Sequence, residues 1–158
     1  MKQDNEKMYK NIYEKMSVAV AEAQYAAENS EVPVGCAIFL GDELVTSSHN
    51  ICEETSDPTD HAELIAIKKA IKTLGREKIR KCELFVTLEP CPMCAGAILH
   101  SGIGKVYFAS YDPSFGAYDG YVNVFSHPDG KNTEIYGGIM EERCSEMIRE
   151  FFRKMRNK

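Results

Sequence analysis

Residues 82–110 read CELFVTLEPCPMCAGAILHSGIGKVYFAS. Cys82–Leu88 is a short apolar run with aromatic and β-branched members, the pattern of a buried strand. Pro92 opens a small-residue stretch that runs to Ser101, and the first turn is where a helix tolerates proline. Lys105–Ser110 reads as a second strand. A strand, a helix and a strand in succession argue for a mixed sheet covered by helices.

The flanking segments extend that unit. Upstream, His61–Leu74 has helical spacing, with Thr59 or Asp60 as a cap and Gly75 closing it. Val34–Leu40 and Glu43–Ser48 flank Gly41-Asp42, which predicts a hairpin. Gly35 inside its first strand predicts a close backbone approach. Residues 4–28 form one amphipathic helix, with Met8, Ile12, Met16, Ala19, Ala23 and Ala26 on one face, and Pro33 stops its continuation. Asn50–Asp60 is polar and reads as a loop. Downstream, residues 111–133 are irregular, with weak helical character around Tyr118–Phe125. A short strand at Thr133–Tyr136 and an amphipathic helix at Ile139–Met155 follow. The expectation is one domain over residues 1–158.

Composition narrows the class. The 158 residues are 44% hydrophobic and 27% charged, which excludes collagen, coiled coil and global disorder. A net charge of −5 excludes a protein that binds nucleic acid over its whole surface. Any polyanion must be met by a local patch. The opening MKQDNEKMYK lacks the apolar core of a signal peptide, and no apolar run approaches the ~20 residues that span a bilayer. The chain is expected to be soluble and cytoplasmic, with its six cysteines as thiols or metal ligands rather than disulfides.

Two segments carry chemistry: His61-Ala62-Glu63 and Glu89-Pro90-Cys91-Pro92-Met93-Cys94. A thiol at a helix start is acidified by the positive end of the helix, which favours the metal-binding thiolate. Two thiolates need a further ligand, and His61, at a separate helix start, is the candidate. Three protein ligands leave the fourth position of a tetrahedral zinc open, as catalytic sites do. Glu63 is placed to move a proton without ligating the metal. A lone CxxC also reads as a redox dithiol, but H-x-E…P-C-x-x-C together is the signature of the zinc deaminases.

With EVPVG (31–35), DPTDHAE (57–63), TLEPCPMCAGAI (87–98), HSGIGKVYFAS (100–110), GIMEERCSEM (138–147) and EFFR (150–153), the chain resembles the bacterial tRNA-specific adenosine deaminase family of the cytidine deaminase-like superfamily. The resemblance implies a three-layer α/β/α fold with a central five-stranded mixed sheet. It implies one zinc per subunit on His61, Cys91 and Cys94, with Glu63 as proton shuttle. Asn50 matches a residue that hydrogen-bonds the purine, and Val34 and Leu88 match apolar walls around the base. The backbone amides near Ala62 and Cys91 match groups at the reacting centre, and Asp112 matches a ribose contact. Phe151, Phe152 and Arg153 match a helix that grips the anticodon loop. The implied reaction converts the wobble adenosine of tRNA to inosine with release of ammonia, in a homodimer, with no membrane and no DNA as partner.

Asp60 departs from the family's pattern, as do residues 116–127 and Lys131-Asn132-Thr133, all outside the zinc motif. With the acidic balance, they keep open a free nucleobase or nucleoside deaminase acting on guanine, cytosine or a relative, and a third reading from another class is a zinc-stabilised binding module without catalysis. The basic residues Arg149, Arg153, Lys154, Arg156 and Lys158 read either as a solvated helix end or as a phosphate-binding patch.

Overall fold

The computed structural model describes residues 9–128 and 132–158. The expected helical start at 4–8, Met8 and Lys131 lie outside the described residues.

The first helix, α1, spans Ile12–Glu28. Asn11 caps it, its side-chain oxygen accepting from Glu14 N at 2.9 Å. Its buried side is made of Met16, Ala19, Val20, Ala23 and Ala26. Small side chains there let the helix lie almost on the sheet. A Cβ on Gly35 would stand 1.9 Å from Ala19 O and 2.6 Å from Ala23 N. The close approach expected at Gly35 is therefore that of the α1 backbone.

Strands β1 (Gly35–Leu40) and β2 (Glu43–His49) form the predicted antiparallel hairpin. Gly41 adopts φ +60° at its turn, a value that suits glycine. Next come α2 (Cys52–Thr55), α3 (Ala62–Leu74), a 3₁₀ turn at Lys78–Lys81, β3 (Cys82–Leu88), α4 (Pro92–Ser101) and β4 (Lys105–Ser110). Strand β5 (Glu134–Tyr136) and helix α5 (Glu141–Arg156) complete the chain. The sheet order is β2-β1-β3-β4-β5. The β1 pairings are antiparallel, and β3-β4 and β4-β5 are parallel, so this is the mixed five-stranded sheet implied by the resemblance.

Alternation along the strands divides the core in two. Cys36, Ile38, Leu84, Val86, Val106 and Phe108 face Ala66, Ala70, Ala95 and Ile98 of α3 and α4. Ala37, Phe39, Phe85 and Ala109 face Met16 and Val20 of α1 and Cys144 of α5. On the α1 side, aromatic rings run across the sheet. Tyr9, Phe39, Phe85, Tyr107 and Tyr136 meet pairwise at centroid distances of 4.7–5.6 Å.

Three expectations need correction. The residue that caps α3 is His61 rather than Thr59 or Asp60, and it makes no side-chain capping bond. The stretch 50–60 is not all loop, because α2 forms within it. The Glu31 carboxylate accepts from Glu53 N at 3.1 Å and Glu54 N at 2.8 Å, so the cap of this short helix comes from far upstream. Residues 118–125 are a series of turns rather than a helix. Their amide groups are claimed by another carboxylate, described below.

Candidate active site

Helices α3 and α4 begin at the same end of the sheet. His61 is the residue before α3, and Cys91 is the residue before α4. Both stand at the exposed-amide end of their helices, and their side chains turn toward each other. Cys94 follows one turn into α4. His61 Nδ1 lies 3.7 Å from Cys91 Sγ and 3.5 Å from Cys94 Sγ. The three ligand atoms fall within 4.8 Å of one another.

These distances test the fit of a metal. In a tetrahedral zinc site, Zn–N of about 2.05 Å and Zn–S of about 2.3 Å place nitrogen and sulfur about 3.6 Å apart. The observed separations match that edge length. The donor set, one imidazole and two thiols, is the one zinc takes. The Pro58 carbonyl bonds the same ring, the kind of outer support that fixes a ligating histidine.

The protons are unevenly shared. A hydrogen bond from Cys94, with His61 adding to it, pulls the Cys91 thiol down to about 4 against the effect of burial. The same pairing, reinforced by burial, pushes the Cys94 thiol up. The bond to Cys91 raises His61.

Glu63 is 3% exposed, and among the described residues its Oε1 is the buried side-chain oxygen or nitrogen with no hydrogen-bond partner. Burial raises its carboxyl above the usual range. An orphaned buried carboxylate oxygen costs about 1–3 kcal/mol. Such a group beside a metal-ligand cluster is what a proton-transfer role requires.

His61, Glu63 and Cys91 form part of the wall of a cavity of about 570 Å³. Val34, Asn50, Leu88 and Asp112 also line it. Asn50 Oδ1 accepts from Ala62 N at 2.8 Å. That bond orients the amide and leaves Nδ2 as its donor for a ligand. It also occupies the Ala62 N–H assigned by resemblance to the reacting centre, so in this arrangement Ala62 anchors the start of α3. Asp112 Oδ1 accepts from Ser114 N and Phe115 N at 3.1 and 3.2 Å, shaping its own loop. Phe151 and Arg153 lie outside the cavity wall. Their helix, α5, packs with α1 on the opposite face of the sheet from α3 and α4.

Sequence reasoning assigned no role to several wall residues. Cys52, read as a loop thiol, is half-buried in the wall, and Phe115 and Tyr121 stand 66% and 70% exposed at its edge. Glu89 was quoted as part of the cysteine motif without a function. It is 2% exposed. Its Oε1 accepts from Asp112 N at 3.2 Å, and its Oε2 accepts from Tyr118 N, Asp119 N and Gly120 N at 3.1 Å each. One carboxylate thus ties the strand that delivers Cys91 to the loop that carries Phe115 and Tyr121. A signal was available in the glycines: a Cβ on Gly116 would stand 1.8 Å from Glu89 Oε2.

Residues 10–110 match the family described as cytidine and deoxycytidylate deaminase zinc-binding region. A tRNA-specific adenosine deaminase from Bacillus subtilis is 38% identical over 148 residues, covering 90% of this chain and 89% of the relative. The solved structure of a tRNA:A34 deaminase, studied for A-to-I editing at the wobble position of transfer RNA, superposes with a TM-score of 0.79. It is 37% identical and covers 84% of this chain and 97% of that one. A guanine deaminase from Nitrosomonas europaea superposes with a TM-score of 0.80 at 18% identity, covering 91% of this chain and 86% of that one, a likeness of fold. With this much shared length and identity, the chain belongs to the tRNA-specific adenosine deaminase family, within the cytidine and deoxycytidylate deaminase zinc-binding group.

Proposed function

We propose that the protein is a zinc-dependent hydrolase that converts the wobble adenosine of tRNA to inosine and releases ammonia. The observation that carries this reading is the unpartnered Oε1 of buried Glu63 next to His61, Cys91 and Cys94. Zinc held by those three side chains supplies an activated water at neutral pH. Glu63 takes that water's proton at Oε1 and delivers it to the purine nitrogen beside C6. Once the water oxygen has bonded to C6, Glu63 carries the remaining hydroxyl proton to the amino group, the C6–N bond breaks, and ammonia leaves C6 as a carbonyl. Asn50 Nδ2 faces the purine as donor, while its Oδ1 stays on Ala62 N. Val34 and Leu88 form the apolar walls of the base pocket.

An RNA loop as substrate is supported by the rim. Phe115 and Tyr121 are exposed rings on which unstacked neighbouring bases can lie. Asp112 contacts the ribose, and Phe151 and Arg153 of α5 reach the anticodon loop from outside the cavity. The protein acts as a homodimer in the cytoplasm, with residues 1–158 as a single deaminase domain. Among the described residues, no helix is long and apolar enough to cross a membrane.

The test is a deamination panel with the zinc-loaded protein. An anticodon stem-loop with adenosine at the wobble position is compared with free adenine, adenosine, guanine and cytosine. Inosine from the stem-loop alone supports the proposal. Turnover of a free base with none of the stem-loop moves the assignment to a nucleobase deaminase.

A further inference from the structure

The segment 68–81, KKAIKTLGREKIRK, holds seven of the chain's 19 lysines and arginines and a single acid, Glu77. In a protein of net charge −5 that is a steep local reversal of sign. Lys68, Lys69 and Lys72 are exposed on α3, opposite its buried residues Ala66, Ile67 and Ala70. Arg76, Lys78, Arg80 and Lys81 continue the exposed stripe around the 3₁₀ turn. Among the described residues, none of these seven side chains makes an ion pair or hydrogen bond, whereas Lys15, Arg153 and Lys154 each pair with a glutamate.

The stripe has a direction. It starts near the cavity, since α3 begins beside His61 and carries Glu63, both in the cavity wall, and Lys68 is one turn further along that helix. It then follows α3 away from His61. The 13 residues of that helix span about 20 Å at 1.5 Å per residue. A row of unpaired cations leading away from the cavity fits the phosphate backbone of a nucleic acid whose reacting base is in that cavity. A solvated helix end does not explain it, because cations are favoured by the dipole only in the last turn, and Lys68 and Lys69 lie upstream of that turn.

We propose that the exposed basic stripe of α3 and the following 3₁₀ turn docks the RNA phosphate backbone beyond the anticodon loop. This rests on the assignment of tRNA as substrate. It gives the protein, acidic as a whole, a track that aligns the RNA helix with the cavity.

The experiment compares the zinc-loaded protein with the triple variant Lys69→Gln, Lys72→Gln, Arg76→Gln. Binding of full-length tRNA is measured between 50 and 200 mM salt, alongside deamination of a short hairpin carrying only the loop. Each lost phosphate contact removes about one unit from the log–log salt slope. Three contacts make the wild type weaken roughly sixtyfold more than the variant over that fourfold salt range. The expected result is that reduced slope with hairpin turnover unchanged, which also shows that the variant is folded and metal-loaded. An unchanged slope and affinity for full-length tRNA overturns the proposal. If the wild type deaminates neither RNA, the substrate assignment has failed instead, whatever the binding shows.

Discussion

Replacing Glu89 by Gln perturbs one buried atom pair and leaves all three metal-ligand side chains in place. Glu89 accepts four backbone hydrogen bonds. Glutamine with its carbonyl oxygen in the Oε2 position keeps the bonds from Tyr118, Asp119 and Gly120. Its NH₂ group then faces the Asp112 N–H, donor against donor. One hydrogen bond to a charged acceptor contributes about 1.5–3 kcal/mol, and the unpaired buried donors add to the loss. We take about 2–3 kcal/mol as the cost to the ordered form of loop 111–121. At 1.36 kcal/mol per factor of ten that is roughly 30- to 150-fold. The loop carries Asp112, Phe115 and Tyr121, so the loss is expected in KM for an anticodon stem-loop, with kcat reduced much less.

The assay is steady-state inosine formation, with zinc per chain measured on the same samples. A normal zinc content with a raised KM is the expected result. Gly116→Ala approaches the same contact from the other side, since its Cβ would clash with Glu89 Oε2 and with Asp112 O. It should raise KM in the same way. A Glu89→Gln protein with unchanged KM would refute the role of Glu89 as the strut of this loop. So would one that loses zinc in proportion to activity.

Glu63→Gln removes the proton carrier while keeping its size, and turnover should fall by about 10²- to 10⁴-fold with zinc content intact, as elemental analysis will show. After chelation, alkylation at pH 6 should modify Cys91 first. Its thiol, held at about 4, is ionised there, whereas Cys82 and Cys144, both pushed up to about 11, remain protonated and buried. Zinc loading should protect Cys91, and peptide mapping by mass spectrometry reads both results. Gly35→Ala drives a methyl group into the α1 backbone, and overpacking against backbone should cost about 3 kcal/mol or more in urea denaturation.

The parts legible in the sequence are those set by local signals. Pro92 at a helix start and the short apolar run with aromatic and β-branched members at Cys82–Leu88 placed α4 and β3 to the residue, and β4 followed at Lys105–Ser110. His61, Cys91 and Cys94 were legible because each stands next to a helix start. What escaped was determined at a distance. Helix α2 depends on the Glu31 carboxylate, which no window around Cys52–Thr55 contains. The turns at 118–120 exist because Glu89 takes their amides, and helical spacing around Tyr118–Phe125 cannot compete with a buried charge. Ala62 illustrates the same limit within the site: its amide is paired to Asn50 across a loop. The basic stripe of α3 was visible as composition, but its exposure and its lack of partners needed the fold.

The central claim is that Glu63 and the His61, Cys91 and Cys94 site deaminate a tRNA wobble adenosine. Its most direct test is the yield of inosine and ammonia from a wobble-adenosine stem-loop incubated with the zinc-loaded protein. The account predicts equal amounts of the two products, with inosine at the wobble position alone and both products formed at least about a hundredfold more slowly by Glu63→Gln. A stem-loop recovered with its adenosine intact, from protein carrying a full complement of zinc, would contradict it.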